Sequence, residues 1–183
     1  MAGCTKCRLS EGRNQLVFGQ GDAAAEVAFV GEGPGYHEDQ EGLAFVGKAG
    51  ELLTKMIQAM GLERDEVFIA NVVKCRPPGN RTPAPDEMAT CLPFLQEQLE
   101  AVRPKVICAL GKIAAVGLGL IAADEALGRN RGQFRDWRGT PVMITYHPAY
   151  LLRNPADKRK AWEDLQKLFP LITRRRAAGS SQA

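Results

Sequence analysis

Long hydrophobic runs are missing from this chain. No stretch of its 183 residues approaches the ~18 consecutive apolar residues of a membrane-spanning helix, so no membrane partner is expected. A secretion signal is missing too, because Met1-Ala2-Gly3-Cys4-Thr5-Lys6 has no apolar core. The expected setting is therefore cytoplasmic and reducing, where cysteines do not build a disulfide framework. Neither charge sign dominates: 24 Lys and Arg face 21 Asp and Glu, for a net charge of +3. Basic residues do crowd between Arg153 and Lys160 and at Arg174-Arg175-Arg176. Such runs suit a polyanion, but alone they support it only weakly. Internal repeats and a break that would mark a second domain are absent as well. The expectation is one monomeric domain over residues 1–176 with a disordered tail at 177–183.

Against that background the five cysteines stand out. Cys4 and Cys7 form a C-x2-C pair, Cys75 sits in the loop Lys74-Cys75-Arg76-Pro77-Pro78, and Cys91 follows. Four thiolates converging on one point would hold a metal or a cluster. The plainer alternative is that Cys75 and Cys91 are unrelated buried thiols. Cys108 lies inside Val106-Ile107-Cys108-Ala109-Leu110 and reads as core.

Four short apolar segments read as strands: 26–31, 67–73, 105–110 and 141–146. They show little period-two alternation, as expected when both faces are buried. Helical patterns cover 50–61, 85–102, 111–121 and 157–169. The second opens with Pro85 in its first turn and stops before Pro104. Strand–helix alternation predicts an α/β domain with a parallel sheet covered on both faces. Ligands in that class bind beyond the carboxyl ends of the strands.

The segments at those ends carry the chemistry. Gly31-Glu32-Gly33-Pro34-Gly35 resembles a dinucleotide fingerprint but has the wrong spacing, and Pro34 removes a backbone donor. Gly42 to Lys48 matches the start of a P-loop, yet Ala49 stands where magnesium needs a hydroxyl. Asn71 can present a donor and an acceptor together, as in reading a base edge; a turn-capping role is its ordinary alternative. His147, one of two histidines, sits at a strand end, followed by an apolar tip of Tyr150, Leu151 and Leu152 and by Arg153. An apolar wedge flanked by cations can enter a DNA stack.

In this order, Gly31-Glu32-Gly33-Pro34-Gly35, Glu38-Asp39, Phe45-Val46-Gly47, Asn71, Cys75-Arg76-Pro77-Pro78 and His147-Pro148, together with the four cysteines, resemble the family 4 uracil-DNA glycosylases. The resemblance runs from Cys4 to about Phe169. It implies a three-layer αβα sandwich with a four-stranded parallel sheet, and a [4Fe-4S] cluster on Cys4, Cys7, Cys75 and Cys91. It also implies hydrolysis of the N-glycosidic bond of deoxyuridine flipped from DNA, releasing uracil in base excision repair. By resemblance Phe45 stacks on uracil, while Asn71 donates to O4 and accepts from N3–H. Mispairing with cytosine would then leave buried groups unsatisfied, about 1–3 kcal/mol each. Glu38 is expected to exclude thymine, because Gly35 occupies the place of a tyrosine used elsewhere in the superfamily. His147 is expected to stabilise the anion on O2, with help from the Glu32–Gly33–Pro34 turn. Glu32 is the candidate to position water, since the aspartate of other branches aligns with Gly33. Arg76, Tyr150, Leu151 and Arg153 are expected to meet DNA. The alternative is a non-catalytic or covalently uracil-trapping iron–sulfur relative. The trapping branch carries a histidine in its basic loop, and Arg153 to Arg159 has none.

Overall fold

The computed structural model describes residue 1 and residues 3–173. The run Arg174-Arg175-Arg176, the expected domain end at 176 and the tail at 177–183 lie outside the described residues. Among the described residues no helix is long and apolar enough to cross a membrane.

Six strands form one sheet: β1 (Gln20–Gly21), β2 (Val27–Gly31), β3 (Phe68–Asn71), β4 (Val106–Leu110), β5 (Phe134–Trp137) and β6 (Thr140–Thr145). Their order is β1-β3-β2-β4-β6-β5. The inner four, β3-β2-β4-β6, are parallel and correspond to the four apolar segments read from sequence. Each contributes to both faces in alternation. In β2, Ala28 and Val30 join one hydrophobic cluster, while Val27 and Phe29 join the other. In β4, Ile107 and Ala109 divide from Val106, Cys108 and Leu110 in the same way. Cys108 is fully buried, and burial pushes its thiol far up, so it is an inert core residue as expected.

The sheet differs from the expected four strands at its two edges, where β1 and β5 pair antiparallel. Neither has an apolar run to announce it: β1 is two residues, and β5 (Phe134-Arg135-Asp136-Trp137) buries only Trp137. What makes β5 is its hairpin. Arg138 (φ 50°) and Gly139 (φ 85°) both take positive φ, the geometry of a two-residue turn that matches strand twist.

The helices are α1 (Leu9–Gly12), α2 (Tyr36–Glu41), α3 (Lys48–Ala59), α4 (Pro85–Val102), α5 (Lys112–Gly117), α6 (Leu127–Asn130), α7 (Pro148–Arg153) and α8 (Lys158–Gln166). Leu53 and Ile57 of α3 and Leu165 of α8 cover one face, and Leu95 and Leu99 of α4 with Ala114 and Ala115 of α5 cover the other. Helix α4 starts at Pro85, where a missing N–H costs nothing, and the buried Glu87 carboxylate accepts from Ala84 N–H at 2.7 Å. The chain runs from β2 outward to β3, then returns to β4 on the other side of β2. That reversal opens a crevice beyond the carboxyl ends of the strands, where Gly31, Asn71 and Thr145 end their strands.

Candidate active site

A cavity of about 410 Å³ fills that crevice. Glu32, Gly33, Pro34, Gly35, Glu38, Phe45, Asn71 and His147 all line it, together with Asn80, Arg81, Tyr150 and Arg153. Three separate loops and one strand end thus meet in a single space. Their close approach depends on Gly31. A Cβ there would lie 2.4 Å from Asn71 Oδ1 and 2.5 Å from the Phe45 ring.

Asn71 is 2% exposed, and its Oδ1 is buried with no hydrogen-bond partner. A buried amide oxygen left unpaired costs about 1–3 kcal/mol, which an incoming N–H donor recovers. Phe45 and His147 set their rings 5.5 Å apart at 31°. His147 is the N-cap of α7, and its Nδ1 accepts from Ala149 N–H at 3.1 Å. The neutral ring therefore carries its proton on Nε2. Burial, and after it the charge of Arg153, pushes this imidazole down to about 4, so it is neutral at physiological pH.

Glu38 has no free oxygen. Its Oε1 accepts from Val46 and Gly47 N–H at 3.0 and 3.2 Å, and Oε2 accepts from Gly35 N–H at 3.0 Å. It ties two loops together and forms a fixed wall of the cavity. Glu32 is in a different state. Burial raises its carboxyl above the ordinary 4.5, opposed by a hydrogen bond with the Thr82 side chain.

The family model of the uracil DNA glycosylase superfamily matches residues 18–166. The type-4 uracil-DNA glycosylase of Thermotoga maritima is 45% identical over 172 residues, covering 92% of this chain and 89% of the relative. Those of Saccharolobus solfataricus and Sulfurisphaera tokodaii are each 44% identical, covering 90% and 92% of this chain and 80% of each relative. The chain belongs to the type-4 uracil-DNA glycosylase family. It is an enzyme that excises uracil from DNA, a DNA-repair hydrolase.

Cys4, Cys7, Cys75 and Cys91 line one small pocket with Lys6 and Arg13. Arg13 Nη1 donates to Cys75 Sγ at 3.1 Å. Among the described residues no three His, Cys, Asp or Glu side chains are placed to hold a metal ion. The pocket is nevertheless built around thiols. Burial raises Cys75 and takes Cys91 up to about 11, so neither is a thiolate without a positive partner.

The residues expected at DNA divide. Arg153 and Tyr150 line the cavity, with Tyr150 stacked on Tyr146 at 4.8 Å. Arg76 does not line it; its Nε donates to Asn80 Oδ1 at 2.6 Å and its guanidinium sits 5.1 Å from the exposed Tyr36 ring. Leu151 has to be corrected. It is 1% exposed and faces the apolar groove between α3 and α8, so it cannot reach DNA. Leu152, 41% exposed, is the outward residue. The helical frame explains this, since α7 buries Pro148 and turns Leu151, three residues on, to the same side. Thr82 and Arg81 were not anticipated, having no motif of their own. Neither was Lys74, whose neighbour Cys75 drew the reading instead.

Proposed function

We propose that the cavity receives a uracil flipped from DNA and that its own side chains divide reading from cleavage. The observation that carries this is the unpaired, buried Oδ1 of Asn71. Uracil N3–H is a donor for it, and the same amide's N–H2 can donate to O4. Cytosine offers a bare N3 and an amino group, the reverse pattern, so both contacts fail. Phe45 supplies a flat apolar face on which the ring stacks. Glu38, fixed by three backbone N–H groups, forms the wall against which a thymine methyl group is excluded.

Breaking the N-glycosidic bond moves negative charge onto uracil O2 and positive charge onto the sugar. Neutral His147 holds a proton on Nε2 and donates a hydrogen bond to that developing anion. Backbone N–H groups of Glu32 and Gly33 assist; Pro34 has none. Glu32 positions the attacking water, and its anionic form offsets the sugar cation. Arg153, Arg76 and Tyr150 hold the backbone around the flipped nucleotide, and the exposed Leu152 takes the wedge position in the stack.

The four-thiol pocket fits a [4Fe-4S] cluster on Cys4, Cys7, Cys75 and Cys91. The amine of Lys74, which burial pushes down to about 7, supports the fit. Lys74 is 0% exposed and donates to the neutral Gln98 Oε1 at 2.6 Å, and the titratable group it senses is Cys91. Negative charge from a cluster on four thiolates would favour the ammonium form of Lys74 against that burial. When bound, the cluster supplies a cross-link and charge, because hydrolysis transfers no electrons. The chain works as a cytoplasmic monomer on uracil-containing DNA.

The test is a duplex with one deoxyuridine, treated with alkali after incubation with purified protein. Asn71→Ala should cleave about 10–100-fold more slowly, and Asn71→Asp, which cannot donate to O4, no faster. Wild-type turnover in Asn71→Ala contradicts the assignment.

A further inference from the structure

Phe45 is held in a conformation it would not choose. Its φ is 55°, in the left-handed region that side-chain-bearing residues avoid unless the surroundings over-determine it. We infer that Arg64, which does not line the cavity, is the positioning residue that fixes Phe45 as the stacking face. This rests on the reading of Phe45 as the surface on which uracil stacks.

Arg64 lies in a short 3-10 turn (Arg64–Glu66) just before β3. Its guanidinium grips both carbonyls of the strained turn. Nη2 donates to Ala44 O at 2.7 Å and to Phe45 O at 2.8 Å, while Nη1 donates to Thr54 Oγ1 at 2.9 Å and to Gly50 O at 3.5 Å. With its side-chain amide turned so that the oxygen faces the guanidinium, Gln20 on β1 accepts from Nη2 and Nε at 3.0 and 3.3 Å, completing the fork. Among the described residues no carboxylate hydrogen-bonds this guanidinium; its donors go to backbone carbonyls, a hydroxyl and an amide. The turn is held from the other side as well. A Cβ on Gly50 would lie 1.8 Å from Phe45 O, so only glycine lets the carbonyl turn inward toward Arg64.

The fork therefore joins three elements, β1, α3 and the segment entering β3, at the one backbone position that aims the Phe45 ring across Gly31 toward His147. A planar, five-donor group is suited to this; a lysine ammonium could not span the same acceptors in one plane. Without the fork, Phe45 relaxes to negative φ and its ring leaves the cavity floor. The DNA-facing Tyr150 and Arg153 make no contact with the fork.

Inhibition of excision by free uracil reads the stacking face directly, and affinity for DNA lacking uracil reads the rest of the surface. Phe45→Ala should weaken free-uracil inhibition about tenfold or more. Arg64→Met should do nearly the same, with affinity for undamaged DNA within about twofold, and the double variant should be no worse than Phe45→Ala alone. Thr54→Val, a mild change that removes one acceptor of the fork, should move uracil inhibition a few-fold in the same direction and also vanish in the Phe45→Ala background. This second variant keeps the test decisive if Arg64→Met does not fold. Multiplicative effects of the paired variants, or normal uracil inhibition in Arg64→Met beside weakened inhibition in Phe45→Ala, overturn the role of Arg64 alone. Unchanged uracil inhibition in Phe45→Ala overturns the stacking face and the inference with it.

Discussion

His147 and Glu32 face one cavity, yet burial acts on them in opposite senses, because it penalises the cation of one and the anion of the other. The imidazole is pushed down to about 4 and the Glu32 carboxyl up from its ordinary 4.5. A neutral His147 acts as donor at every pH above about 4, so it puts no acid limb on the cleavage rate between about pH 5 and pH 8. Glu32, in its proposed role, puts an acid limb on the rate where its carboxylate takes up a proton. The single-turnover rate should fall as pH drops through a midpoint above 4.5, and Glu32→Gln should flatten the profile. An acid limb that survives in Glu32→Gln contradicts this division. Stability follows the same direction for His147. The unfolded imidazole takes up its proton near 6.5 and the folded one near 4, so stability is lost as pH falls through that interval. At this scale the sequence was most informative where chemistry restricts residue type: Asn71 and His147 line one cavity and the four cysteines one pocket. It was least informative where a helical frame decides direction, which is why Leu151 reads as a wedge and proves to be core while Leu152 points out.

The central strands were legible because burial on both faces demands unbroken apolar runs, and α4 because Pro85 opens it. The edge strands were not, since β1 and β5 are made by pairing and by a hairpin turn rather than by composition. The contacts that join elements were hidden for the same reason: they lie far apart in sequence. Glu87 is the clearest case. Its fully buried carboxylate accepts from Arg8 Nε at 2.6 Å and from Arg81 Nη2 at 2.7 Å, joining the segment after Cys7 to the cavity wall through α4. Those two cations hold its carboxyl down at about 2. Both arginines are partly exposed, which discounts the pairing, so Glu87→Gln should cost about 1–2 kcal/mol by thermal or denaturant melting. It should also speed iron release by a chelator. Unchanged melting and iron retention would mean that the network is ornamental.

At the scale of the whole molecule, a scaffold that the superfamily shares carries a crevice lined by Asn71, His147 and Arg153 and a separate pocket lined by four thiols. The thiol centre should make the protein brown, with about four irons per chain; Cys75→Ser should bleach it, and Lys74→Met should weaken iron retention. One equivalent of zinc and no iron, in protein prepared without oxygen, contradicts the cluster. In the proposed mechanism His147 acts on charge present only in the transition state, while Arg153 acts on the DNA backbone. Single-turnover cleavage with excess enzyme at two salt concentrations separates them. His147→Ala should slow the step by about 10²–10³ with DNA binding almost unchanged. Arg153→Ala should weaken binding and lower the salt slope by about 1, with chemistry preserved once DNA is saturated. A His147→Ala enzyme that cleaves saturated DNA at the normal rate would contradict the account and leave the His147–Arg153 segment as a DNA clamp only.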